Sequence, residues 1–273
     1  METLSTIDAL QNGIIEKSTQ EKKDSPAYHF DKLKMYFGED YTVNSITISQ
    51  PTIGTILEVG EDNFYHALSP FLYNSTTIRL FLWDNNIDWN TLRDIEVFAL
   101  LMPSVAIIHK DILKRIFPLI DFQDFQLLGK KTDDKKTEFA LYSKSQDILL
   151  SEQEYLEIAE YLRELLNFHP KVERAKGKTT KSWIIQEERM NLQTKKDNEV
   201  SSQLLTLVSA CINHPGFKYK LDELKNVGIY QFMDSVKRLQ KYEESTAALK
   251  GCYSGFVDAS KINKELLNFM SDI

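Results

Sequence analysis

Turn-forming residues are scarce in this chain: 10 glycines and 7 prolines stand in 273 residues. A β-sandwich needs a tight turn roughly every 8–12 residues. Helices need fewer punctuating residues, so the scarcity points to a helical fold. Core material is plentiful, with 15 Phe, 12 Tyr and 3 Trp in a chain that is 42% hydrophobic. A composition like that supports a large buried core and is too apolar for wholesale disorder.

Local patterning sorts the chain into parts. Residues 1–27 are polar and charged, and read as a flexible terminus, with a short helix conceivable over Thr6–Ile15. Tyr41–Ser49 has the β-branched residues of a strand, and Pro51 stops it. Helical spacing follows over Ile53–Val59 and Asp62–Phe71. The apolar run Ile78–Trp83 fits a strand or a buried helical turn equally well. Thr91–Leu101 is predicted helical with Asn90 as N-cap, and Asp111–Phe117 helical up to Pro118. The period then changes to that of a β-hairpin, Phe125–Lys130 with Glu138–Ser143, turning at Asp133 and Asp134. Ile148–Leu150 adds a third short strand. Ser151 and Glu154 have capping-box spacing and open a helix with Tyr155, Ile158, Leu162, Leu165 and Leu166 on one face, ended by His169 and Pro170.

Lys171–Lys181 holds five basic residues and one acidic one, a local charge of +4, without apolar periodicity. It reads as an exposed linker over 169–181. Helices are predicted beyond it: Ser182–Gln193, Val200–Ile212, Leu221–Lys225, Ile229–Lys250 and Lys261–Met270. Gly251 is the expected C-cap of the long one, Gly255 a turn, and Asp258 or Ser260 the cap of the last. The expected fold is α+β and mainly helical. An α+β domain covers 28–168 with a small antiparallel hairpin, and a helical module covers 182–273.

Three short matches to catalytic or ligand motifs dissolve on inspection. Gly177-Lys178-Thr179 is the tail of a phosphate loop, but Val172 stands where that loop needs glycine. Asp84–Asp88 opens like a calcium loop, but Trp89 and Ile95 occupy its glycine and bidentate-carboxylate positions. His29, His66, His109, His169 and His214 show no ligand spacing, and neither Cys211 nor Cys252 sits in a CxxC pair. The expectation is a non-enzymatic protein without metal or cofactor, its two thiols reduced. The net charge of -7 disfavours nucleic acid as a partner. No window nears the roughly 20 apolar residues of a membrane helix, and METLSTIDALQNG lacks the features of a signal peptide.

Ile212–Leu239 (INHPGFKYKLDELKNVGIYQFMDSVKRL) and Leu249–Asn263 (LKGCYSGFVDASKIN) resemble the C-terminal region of a family of tailed-bacteriophage tail and virion-assembly proteins, mostly from phages of Gram-positive hosts. Ile48–Glu61 (ISQPTIGTILEVGE) resembles their opening segment. The resemblance implies a tail-assembly chaperone in the host cytoplasm, binding phage tail proteins. A structural part of the tail or baseplate is the alternative, and an enzyme without a recognisable motif stands third. Self-association is a further expectation. The C-terminal aromatics Phe217, Tyr219, Tyr230, Tyr242, Tyr253 and Phe256 exceed what one helix seam needs. They are the candidate partner-binding residues, weighed against plain packing on the N-terminal part of the chain.

Overall fold

The computed structural model describes residues 28–131, 137–196, 202–256, 258 and 260–271. The predicted flexible start, the Thr6–Ile15 helix and the turn at Asp133 and Asp134 lie outside the described residues. Among the described residues helix accounts for 55% and strand for 11%, so the fold is α+β and mainly helical.

The order is α1 Lys32–Tyr36, β1 Tyr41–Val43, β2 Ile46–Ile48, α2 Ile53–Val59, α3 Glu61–Leu72, α4 Arg79–Asp84, α5 Asp94–Ile108 and α6 Lys110–Ile116. Then come β3 Phe125–Lys131, β4 Thr137–Ser143, β5 Ile148–Ser151, α7 Glu152–Leu165, α8 Lys178–Lys196, α9 Gln203–Ile212, α10 Leu221–Leu224 and α11 Ile229–Tyr253, with a 3-10 helix at Lys264–Leu267. The β3-β4-β5 meander matches its expectation, with Phe125 opposite Ser143 and Leu141 opposite Leu150. Tyr41–Ser49 is not one strand but a tight hairpin, Tyr41 opposite Ile48. Asn44 makes the turn at φ 53°, a left-handed conformation that asparagine tolerates well.

The α3 helix is the hub. Phe64, Ala67, Leu68, Phe71 and Leu72 are all buried on it. Phe71 lies 5.1 Å from Phe98 and Phe117 and 5.5 Å from Phe122, ring centre to ring centre, so one aromatic nest ties α3, α5, α6 and the approach to β3 together. Pro70 cannot donate the backbone bond that His66 would accept; the Ser69 hydroxyl donates to the His66 carbonyl instead, at 2.8 Å. The α7 helix closes the far side. The Ser151–Glu154 capping box is present as predicted. The Tyr155 hydroxyl lies 3.1 Å from the carbonyls of both Pro70 and Asp94. Buried Arg163 donates to the Leu72 carbonyl at the end of α3 and to Asp94 at 2.8 Å.

Several predicted boundaries shift, each for a local reason. The run Ile78–Trp83 resolves as helix, with Ile78 at the N-cap and Arg79–Trp83 inside α4. The helix predicted from Thr91 starts at Asp94, because Glu96 accepts the Arg93 backbone N–H and fixes the cap there; Asn90 is not the cap. The α7 helix ends at Leu165, four residues before His169, with Asn167 at φ 51°. Gly251 lies inside α11 rather than capping it, while Gly255, at φ +76°, makes the turn beyond. The helix predicted over Lys261–Met270 is reduced to the 3-10 turn. Asn263 and Asn268 there accept the backbone N–H two residues on, at 3.0 and 3.1 Å, and such Asx turns compete with helix.

The basic stretch read as an exposed linker is exposed only in its side chains. Its backbone is held: Asn74 donates to the Lys171 carbonyl, Trp89 Nε1 to that of Glu173, and Asn90 to that of Ala175. Ala175 is buried with Leu82, Trp89, Leu92, Val97 and Ile185 in a second, smaller core. The α8 helix starts at Lys178, four residues before its predicted start, and Arg79 bridges Glu173 and Glu188 across this seam. Asp84 and Asp88, the calcium-like acids, are paired with Arg189 and Lys181.

Candidate protein-binding surface

The C-terminal helices are set on the main core by two stretches of backbone. Gly54 N donates to the Lys225 carbonyl at 2.9 Å, Ile53 N to that of Val227 at 3.0 Å, and Ile229 N to that of Pro51 at 3.0 Å. These contacts join Ile48–Glu61 to Ile212–Leu239, two of the stretches that carry the family resemblance. A Cβ on Gly54 would lie 2.7 Å from the Lys225 oxygen, so the approach requires glycine.

The α9 helix buries Cys211 and packs Leu204, Leu207, Val208 and Ile212 on the core, while Leu205 faces outward. Spacing alone could not choose between adjacent leucines. Glu61 makes the choice by accepting the Leu204 N–H at 3.0 Å and the Ser202 hydroxyl. On α11 one face runs along the core: Ile229 and Phe232 are buried, and Met233, Val236 and Leu239 pack on the core half-buried.

The six candidate aromatics separate into groups. Phe217, Tyr219 and Tyr230 pack on the main core; the Phe217 ring is edge-on to Phe232, centres 6.5 Å apart. Burial foremost pushes the Tyr219 and Tyr230 hydroxyls above their ordinary range. Tyr242 is edge-on to Phe269 of the returning tail, 5.4 Å between centres. Tyr253 and Phe256, at the far end of α11, are 86% and 91% exposed, and Met270 is 75% exposed. Large apolar side chains left in water at one end of a helix are what a binding anchor requires before its partner arrives.

Sequence reasoning did not find the grip on the tail. Arg238 Nη1 donates to the carbonyls of Phe269 and Ser271 at 2.5 and 2.9 Å, and Lys241 Nζ to that of Ser271 at 3.1 Å. The available signal was two basic residues three apart on one helix face, with Tyr242 and Ser245 continuing it.

Other clusters offer less. His66 and His109 stand 6.4 Å apart between ring centres, and burial with its neighbour's charge lowers the pKa of His109. Among the described residues no three His, Cys, Asp or Glu are placed to hold a metal. Also among them, no helix is long and apolar enough to cross a membrane. The two cysteines are free, Cys211 buried and Cys252 half-buried.

Residues 194–273, the stretch containing α9, α10, α11 and the tail, match the YomV second-domain family. That family is phage-derived, and the match is consistent with a phage protein. It spans less than a third of the chain. No curated protein and no solved structure matches.

Proposed function

We propose that this chain is a non-enzymatic phage protein that binds another phage protein through the far end of its C-terminal helical module. The supporting observation is the exposure of Tyr253 and Phe256 at the end of α11, within the segment that matches the YomV second domain. Phe217, Tyr219 and Tyr230 hold the module on the core and leave that end free for a partner. The finer reading is tail morphogenesis, and within it a tail-assembly chaperone acting in the host cytoplasm on a tail protein; it draws on the resemblance of Ile212–Leu239 and Leu249–Asn263. A chaperone is made with the virion and left out of it, whereas a tail or baseplate component stays in the particle. Mass spectrometry of purified virions distinguishes the two: the chaperone reading predicts absence from the particle, and stoichiometric presence overturns it in favour of a structural part.

A further inference from the structure

Beyond Leu239 the neighbour of α11 on one face is the chain's own tail. The chain turns at Gly255, φ +76°, and returns so that the Phe269 and Ser271 carbonyls reach Arg238 and the 3-10 helix packs on α11. Ser245 lies on the face of Arg238 and Tyr242, one to two turns further along, and is 2% exposed. Its hydroxyl has no hydrogen-bond partner there.

We propose that segment 260–271 is a displaceable strap, which opens from α11 by local unfolding while the core stays folded and so bares the face carrying Arg238, Tyr242 and Ser245. Three features make the closed contact cheap to break. None of the four residues of the 3-10 helix is buried and Phe269 is 41% exposed, so opening uncovers partly wetted side chains and no sealed core. The clasp consists of charged side chains on carbonyls near the surface, groups that water solvates well. The Ser245 hydroxyl is buried without a hydrogen-bond partner, and with the strap taken as its cover, opening relieves that desolvation cost. The Asx turns at Asn263 and Asn268 keep the strap's local shape as it moves. That the bared face serves a partner rests on the protein-binding reading; the opening itself does not.

The test is Ser245→Cys in the full chain, reacted with a thiol reagent under native conditions and read at position 245 by peptide mass spectrometry. Labelling of the folded chain, accelerated roughly tenfold by adding Arg238→Ala with the melting temperature unchanged, is the expected result. Labelling only at the rate of global unfolding, or at a rate indifferent to Arg238→Ala, overturns the strap. Hydrogen exchange on the unaltered chain covers the case in which Ser245→Cys misfolds. Amides of 260–271 should exchange far ahead of those of α7, and equal protection also overturns the proposal. Neither readout involves a partner, so failure of the protein-binding reading would leave both results standing.

Discussion

Glu96 is 2% exposed, near the start of α5. Burial raises its carboxyl from the ordinary 4.5 to about 7; the Arg93 backbone N–H and guanidinium oppose this, and the charge of Glu152 adds to it. Below pH 4.5 the carboxyl is protonated in folded and unfolded chains alike, and it makes stability no more pH-dependent. Between 4.5 and 7 the unfolded chain releases the proton and the folded chain keeps it, so stability falls as pH rises. Above 7 both states are ionised and the deficit stays constant. At about 1.4 kcal/mol per pH unit, the deficit amounts to about 3 kcal/mol. Glu96→Gln keeps an oxygen for the Arg93 N–H, which Glu96 accepts at 2.8 Å, and carries no charge at any pH. The substitution should leave stability nearly unchanged at pH 5 and raise it by up to about 3 kcal/mol at pH 8. Urea unfolding followed by tryptophan fluorescence, run on both chains from pH 5 to 8.5, measures the difference. Equal destabilisation at both ends of the range would refute the reasoning, because it would mean that the carboxyl is ionised and supported as a charge in the folded protein.

Other substitutions probe the packing. Gly54→Ala should lower stability by about 1–3 kcal/mol, because its Cβ would sit 2.7 Å from the Lys225 oxygen and push α2 from the α10–α11 junction; thermal melting reads it, and a neutral result would mean that the junction yields at no cost. Tyr155→Phe removes a hydroxyl lying 3.1 Å from two carbonyls in the core and should cost about 1–2 kcal/mol by urea unfolding. Asn90→Ala frees the Ala175 carbonyl, held at 2.7 Å, and should speed trypsin cleavage after Arg174 and Lys176 roughly fivefold; a parent chain already cut there at the rate of an unstructured peptide would contradict the pinned segment.

The sequence disclosed elements wherever its signal was local. Ser151 and Glu154 fix the start of α7 by a capping box four residues long, and the stripe from Ile229 to Leu239 fixes the inner face of α11. It misled where a distant partner decides. The charges of Lys171–Lys181 look like those of a free linker, yet Asn74, Trp89 and Asn90, roughly 80 to 100 positions earlier, bind its backbone, and no local pattern records such bonds. The candidate surface was legible in composition and not in placement. An excess of C-terminal aromatics was visible, but separating Phe217 and Tyr230 on the core from Tyr253 and Phe256 in water needs the path of α11 beyond its last core contact. The tail's return escaped notice because Lys261–Met270 has enough helix formers to suggest a helix, and the Asx turns that prevent one draw on only Asn263 and Asn268.

The proposal to be tested is that the exposed end of α11 binds a phage protein. Its most direct test is affinity purification of the full chain, alongside a variant carrying Tyr253→Ala and Phe256→Ala, from cells producing the rest of the phage proteins, with the co-purified proteins quantified by mass spectrometry. Both side chains are almost wholly exposed, so the variant should melt at the same temperature as the parent. The account predicts that a phage tail protein co-purifies with the parent and is lost from the variant. Recovery of the same phage protein by both chains, or of none by the parent, would contradict it.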